Sequence, residues 1–517
     1  MLRNFLPAVM LAWGLIVAPT AFAKEPEPAK APADAAKSGD KADKAHKDDD
    51  INLPPFPADK TVRQSVTIEG RELKYDATVG SLPVLDEKGK IIANVMFTAY
   101  TVPGAGRPVT FALNGGPGAA SVYLNLGAIG PKRVQFGAEG DSPSDPATAI
   151  DNPGTWLSFT DLVFIDPVGT GFSYSQVPED EAKKRFYNPK SDVEYLSRII
   201  FDWLVKNERL SSRKYLVGES YGGFRGPRIT HFLQTRLGVA MNGEVLVSPY
   251  LDPGASNNRD LSPLPWMLTL PSIAAANLER QGKLNDAAMG NVIEYTRTEY
   301  VQDLLKGPAD VQAIERIVKR VTELSGLDAN FVRRSGGRLE TQAYLREVYR
   351  SDGKLGSRYD SNVTAYDPFP FAPVQQNNDP ILDSIIAPTT TAMVDFITHT
   401  VGWKYSGRYN ALSYEVGNLW TDSPDNEKPA NGMERGSAKE LRESVAIDPK
   451  MRVLIVHGWD DLSCPFMASV LIVDQMPVMG KAERVQVKEY PGGHMFYSRP
   501  QSQALLKSDV MKMFSAH

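Results

Sequence analysis

Gly218-Glu219-Ser220-Tyr221-Gly222-Gly223 stands directly after the apolar run 214–217 and before a stretch with helical character. A serine on a tight strand-to-helix turn needs small neighbours, because the backbone there is strained and closely packed, and the turn raises its hydroxyl above the sheet. The pattern predicts Ser220 as a nucleophile; a serine that only caps a helix is the plainer alternative. Such a hydroxyl requires a base, and the base an orienting carboxylate. Both follow in the order Ser, Asp, His. The run 451–456 ends in His457-Gly458-Trp459-Asp460-Asp461, and Pro491-Gly492-Gly493-His494 follows Val485 and Val487. Of the other histidines, His231 and His399 lack a strand-end setting, His46 lies in a polar leader and His517 is terminal. His457 competes, but it precedes the carboxylates and can be satisfied within its own turn, so His494 is the expected base. Spacing does not separate Asp460 from Asp461.

Acyl transfer also places negative charge on the former carbonyl oxygen, which backbone N–H groups stabilise. Asn114-Gly115-Gly116-Pro117-Gly118, after the run 109–113, has the backbone freedom to present such donors. Gly116 and Tyr221 N–H are the expected pair, against the simpler reading of a glycine turn. These residues must be positioned by a sheet. The runs 109–113, 162–165, 214–217, 245–247 and 451–456 are short and apolar, each closed by Gly, Asp, Asn or Ser, as in strands buried on both faces. They alternate with helical patterns such as 192–206, where Val193, Leu196, Ile200, Trp203 and Leu204 share a face. A mostly parallel α/β sheet follows, with its crevice at the carboxyl ends of the strands. Ahead of it, 62–102 alternates in polarity around turns at Glu69-Gly70 and 86–89, the pattern of an antiparallel hairpin edge. From about 252 to 435 the alternation stops; one stripe there is Val311, Ile314, Ile317 and Val318. This block is expected to be a helical cap over the strand ends.

At 517 residues the chain exceeds one ordinary core, so two or three units, or one large α/β domain with an insertion, are expected. Its 62 acidic and 57 basic side chains leave no basic footprint for nucleic acid. One cysteine excludes an intrachain disulfide framework and a multi-cysteine metal site. No metal or organic cofactor is expected. Arg3, an apolar run over 5–17 and Ala21-Phe22-Ala23 form a signal-peptide pattern over 1–23. That run is shorter than a bilayer span. Residues 24–50, rich in Ala, Pro, Lys, Glu and Asp, read as a disordered leader, and 51–517 as the catalytic domain. An exported product, periplasmic or secreted and without stable membrane insertion, is the expectation; oligomeric state is not legible.

Together the residues resemble the serine carboxypeptidase family of α/β-hydrolases, as a bacterial exported member. The resemblance rests on Asn114-Gly115-Gly116-Pro117-Gly118, the segment 166–175 (DPVGTGFSYS), Gly218 to Gly223, Asp461-Leu462-Ser463-Cys464 and Gly493-His494-Met495, in that order. It implies an α/β-hydrolase fold with a helical cap and a catalytic set of Ser220, Asp461 and His494. The family aspartate stands three residues before a cysteine, which selects Asp461. It implies too that Asn114 and Glu219 hold the terminal carboxylate of a peptide substrate through a shared proton, which favours acidic pH. The expected activity is therefore a serine exopeptidase acting through an acyl-enzyme. An esterase or acyltransferase using the same triad is the alternative, and a non-catalytic binding module a third. Ala112, Ala119 and Ala128 depart from the family pattern, the last where a supporting glutamate falls.

Overall fold

The computed structural model describes residues 54–135, 143–256, 261–372, 379–421 and 436–515. The signal-peptide and leader expectations lie outside them. One sheet of ten strands organises the domain. Its main strands are β1 (Lys60–Ile68), β2 (Arg71–Leu85), β3 (Ile91–Thr101), β4 (Val109–Leu113), β5 (Asp161–Ile165), β6 (Lys214–Glu219), β7 (Gly243–Val247), β8 (Arg452–Gly458) and β9 (Val485–Tyr490). Their spatial order is β1-β2-β3-β5-β4-β6-β7-β8-β9, and Tyr174–Ser175 pairs with β3 as a short tenth strand. The first four in that order pair antiparallel and the rest parallel. The antiparallel start and the parallel centre both match the periodicity of the sequence. Glu69 and Gly70 make the β1–β2 turn at φ 49° and 77°, the doubly left-handed turn that suits a two-residue hairpin.

Burial on both faces explains the central runs. Phe111, Leu113, Val163 and Leu216 pack on one side against Leu196, Ile200 and Trp203 of α1 (Pro189–Lys206) and Ile229 and Leu233 of α2 (Tyr221–Arg236). Ala112, Phe164, Val217, Val245 and Val456 face the opposite core, which the C-terminal helix enters through Leu506, Val510 and Phe514. Helix α1 begins three residues before the apolar pattern does, because Asn188 caps it by accepting from Ser191 N–H and Pro189 takes the first turn.

Between β7 and β8 the chain is helical, with α3 (Leu264–Arg280), α4 (Val311–Ser325) and α5 (Pro380–Asp395) among its elements. Helices α3 and α4 share a separate core that includes Ile273, Ile317, Val321 and Leu324. Val311 is not part of the α4 stripe; it opens the helix and is 69% exposed. Ala313, Ile317, Val318, Val321 and Leu324 form the buried face instead. The helical stretch Pro380–Val401 is long and apolar enough in composition to cross a membrane. Here its Ala392, Met393, Phe396, Ile397 and Val401 fill the core beside Tyr75, Val79 and Tyr100 of the hairpin strands.

Glu244 sits on central strand β7, fully buried. Burial pushes its carboxyl up from 4.5 to about 7, against a smaller opposing pull from the Thr230 hydroxyl. A carboxyl whose pKa rises on folding contributes most below its unfolded value and loses that contribution as pH climbs through the folded one. Glu244→Gln removes this titration. In urea unfolding, the variant should gain about 3 kcal/mol relative to the parent between pH 4.5 and pH 8. Equal pH slopes for the two proteins would show that Glu244 is not the buried acid described.

Candidate active site

Each expected site residue stands at the carboxyl end of a strand. Ser220 follows β6 with φ 59° and ψ −120°, a conformation rare for a residue with a side chain. Its N–H donates to Val247 O at 3.0 Å, and its carbonyl accepts from Gly223 N–H at 2.9 Å and Tyr250 N–H at 3.0 Å. These bonds tie the strained turn to β7, the residues just after it and the first turn of α2. A Cβ at Gly222 would collide with the Leu113 and Asn114 carbonyls, so only glycine lets α2 start this close to β4.

After β8, Asp461 Oδ1 accepts from Ser463 N–H at 2.8 Å and Cys464 N–H at 2.9 Å. Its Oδ2 lies 2.7 Å from Nδ1 of His494, which follows β9. Both side chains are buried. Burial draws the His494 imidazole down, but the Asp461 carboxylate and then Cys464 more than offset it, leaving it well above the ordinary histidine value. The backbone carbonyl of His494 accepts from Ser248 Oγ at 2.8 Å. Ser220 meets this pair at Cys464: the thiol contacts both the serine hydroxyl and the imidazole, and all three line one pocket of about 280 Å³. Catalytic serine–histidine bonds commonly tighten only when substrate arrives.

The adjacent Asp460 has a different place. It is buried near Arg499, at 3.8 Å, in a cluster with Glu279 and Asp360. Burial and the Glu279 carboxylate push its own carboxyl well up. His457 is also buried, with Nε2 2.8 Å from Ser469 Oγ, and burial holds it down to about 4. It does not line the pocket.

Asn114 and Glu219 come together in the pocket lining. The Asn114 side-chain Oδ1 accepts from Leu124 N–H at 2.9 Å, which directs its NH2 to Glu219 Oε2 at 2.7 Å. Burial pushes the Glu219 carboxyl up to about 7, partly countered by the charge of His494 and by bonds from Tyr497 and Asn114. The loop 114–118 places Gly115 against Tyr221 N–H. Gly116 takes φ 102°, and it lines the pocket together with Tyr221. Arg225 fastens this loop from below: its guanidinium donates to the Asn114 carbonyl at 3.1 Å and pairs with Asp192 at 2.9 Å, both partners 1% exposed. Such a pair, fully desolvated, stays together because either charge alone would be costly.

Tyr497 was not legible as a site residue. Its hydroxyl donates toward both Glu219 oxygens, at 2.8 and 3.0 Å. The short turn Phe496–Ser498 after His494 brings it there, and nothing in its type or spacing announces that contact. Ala128, where the resemblance places a second acid, is buried in the helical turn Leu124–Ile129. Residues of the helical block reach the pocket too, among them Arg358, Tyr359 and Leu382. Among the described residues no cluster of three or more His, Cys, Asp or Glu is arranged to hold a metal ion.

A mostly parallel sheet with a strained serine elbow, an aspartate-paired histidine after a later strand and helices between them defines the α/β-hydrolase class. A solved structure, Kex1(delta)p, a prohormone-processing carboxypeptidase from Saccharomyces cerevisiae, shares this fold, with TM-score 0.53 and 17% identity over 85% of this chain and 91% of that one. Within the class, the serine carboxypeptidase family model matches residues 80–305. Serine carboxypeptidase-like 36 of Arabidopsis thaliana is 28% identical over 184 residues, 35% of this chain and 36% of that protein. The pheromone-processing carboxypeptidase KEX1 of Ogataea parapolymorpha is 29% identical over 172 residues, 33% of this chain and 24% of that protein. The chain thus spans about a third or less of the length of these relatives. Residues 80–305 include Asn114, Gly116, Glu219, Ser220 and Tyr221. Asp461 and His494 lie beyond them and join the site through the tertiary structure.

Proposed function

We propose that this protein is an exported serine carboxypeptidase that removes the C-terminal residue of peptides through an acyl-enzyme. Ser220 Oγ attacks the scissile carbonyl carbon and passes its proton to His494 Nε2. The Nδ1–H of that ring is held by Asp461, which stabilises the imidazolium. Gly116 and Tyr221 N–H receive the oxyanion. The C–N bond breaks as His494 returns the proton to the departing amine, and water repeats the sequence to release the acyl group. The block 252–435 caps the strand ends. Export rests on the N-terminal pattern at 1–23, with a periplasmic or secreted product.

The observation that carries the peptidase reading is the buried Asn114–Glu219 pair beside the nucleophile. A terminal carboxylate can approach Glu219 only while a proton lies between them, since two carboxylate anions at that distance repel. Asn114 contributes its NH2 to the same grip. Ionisation of Glu219, at about 7, therefore limits peptide binding on the alkaline side, while His494, raised by Asp461, must lose its proton to act as base. Acidic pH favours the Glu219 grip, and the raised His494 pKa opposes that gain.

The test compares a peptide having a free C-terminus with its C-terminal amide, in the parent and in Glu219→Gln. The free peptide should be shortened from its C-terminus and the amide left intact. Turnover of the free peptide by the parent, divided by that of Glu219→Gln, should fall about 50-fold from pH 7 to pH 9, as one proton is lost. Glu219→Gln cannot ionise and should show only the His494 limb over that range. Ala128 favours a second reading, hydrolysis or transfer of esters, because it leaves a single carboxyl at the grip. Equal cleavage of free and amidated peptides would establish that reading instead. Failure of Ser220 to react with an organophosphonate would indicate a binding module.

A further inference from the structure

The segment 357–362 of the helical block is bonded directly to the catalytic histidine turn. The N–H of His494 donates to the Tyr359 carbonyl, Gly493 N–H to the Asp360 carboxylate at 3.1 Å, and Leu462 N–H to the Arg358 carbonyl at 2.9 Å. The Tyr359 ring meets the His494 ring edge-on, with centroids 5.1 Å apart. These contacts fix where Arg358 emerges. Its side chain stands exposed at the mouth of the pocket and lies over the Tyr359 ring at 4.8 Å, donating to the Tyr359 hydroxyl at 2.8 Å.

Among the described residues, Arg358 is the one Lys or Arg in the pocket lining. The well-buried arginines Arg225, Arg346 and Arg484 are satisfied within the fold, Arg225 by Asp192, Arg346 by Asp367 and Arg484 by the backbone carbonyls of Val445 and Asp448. Among the described residues none pairs with the Arg358 guanidinium. Asp379 lies near, but its oxygens accept from Arg358 N–H at 2.9 Å, Ser357 Oγ at 2.6 Å and Ile381 N–H at 3.0 Å, so it serves the backbone of this turn. The other charges facing the cavity are balanced. Asp461 is matched by His494, and Glu219 is hydrogen-bonded by Asn114 and Tyr497 inside the wall. What the cavity presents to substrate is one restrained guanidinium, whose planar set of donors matches a carboxylate better than any other side-chain group.

We propose that Arg358 determines specificity by receiving the carboxylate of an aspartate or glutamate side chain next to the scissile bond, so that the substrate class is peptides acidic at their C-terminal end. This rests on the carboxypeptidase reading. The terminal carboxylate itself is assigned to Asn114 and Glu219, which leaves Arg358 for a side chain. Two positions supply one: the penultimate residue, which forms the acyl group, and the terminal residue, which departs.

The experiment measures kcat/KM for two sets of N-blocked peptides with free C-termini. One set carries Glu, Gln or Lys at the penultimate position and the other carries them at the terminal position, for the parent, Arg358→Gln and Arg358→Glu. The parent should favour Glu over Gln about five- to tenfold in one set, and that set identifies the subsite. Arg358→Gln should bring the ratio to about one, and Arg358→Glu should turn the preference to Lys. Added salt should shrink the parent's ratio, since the pair forms near solvent. Ratios are taken within each protein, so a general loss of activity in a variant does not imitate the effect. A Glu to Gln ratio of about one in both parental sets, or a preference that survives Arg358→Gln, overturns the proposal. If no peptide of either set is cleaved, the carboxypeptidase reading fails first and takes this inference with it.

Discussion

Ser220→Ala should be a folded protein with no measurable turnover of peptide or ester, a loss on the order of 10⁴ to 10⁶ in kcat. The size follows from what the hydroxyl does: without Oγ no acyl-enzyme forms, and the oxyanion donors and binding groups alone supply only a small residue of catalysis. Stability should hardly change, because the turn is secured by backbone bonds to Val247, Gly223 and Tyr250 that alanine keeps. The adjacent thiol is not a substitute nucleophile. Burial raises the Cys464 pKa, outweighing the lowering contacts from His494 and Ser220, so it stays a neutral thiol. The measurements are organophosphonate labelling followed by mass spectrometry, turnover, and the thermal unfolding midpoint. Labelling of the alanine variant, or turnover within tenfold of the parent, would place the nucleophile elsewhere.

The second large effect separates the two neighbouring aspartates. Asp461→Asn should lower kcat by about 10³- to 10⁴-fold, since an amide no longer fixes the imidazole tautomer or stabilises the imidazolium. The same change should lower the histidine pKa, because the Asp461 carboxylate is the main influence raising it. The acid limb of the ester pH profile should therefore move to lower pH. Asp460→Asn should change kcat less than about fivefold. Its carboxyl is pushed toward the neutral form by burial and Glu279, away from the imidazole, and asparagine reproduces that form. Turnover of one activated ester by both variants across pH decides the matter. A larger loss from Asp460→Asn than from Asp461→Asn would reverse the roles.

Much of this site is legible in the sequence because its parts are local. The serine elbow is a short continuous segment whose small residues are required by its own backbone geometry. The strand runs 109–113, 214–217 and 451–456 declare themselves because a strand covered on both faces tolerates little but apolar side chains. The chain order of Ser220, the aspartates and His494 then narrows the partners. What the spacing could not settle was Asp460 against Asp461. Both stand on the same turn, and only the path of β9 beside β8 shows which carboxylate meets the ring at 494.

Other features depended on contacts between segments far apart in the chain. Tyr497 reaches Glu219 across 278 positions, and Arg225 reaches the Asn114 carbonyl across 111. The helical block was legible only as an interruption of the sheet pattern. Its helices read as ordinary amphipathic elements, and the exposed Val311 shows that an apolar residue at the right interval need not face the core. The block's part in the site comes from a turn without periodicity, 357–362, whose Asp360 carboxylate and Tyr359 carbonyl accept from the N–H groups of 493 and 494. Composition and period report what a segment buries along its own length. Which distant groups then share one pocket is decided by how the sheet and the helices close on each other, and no local pattern encodes that.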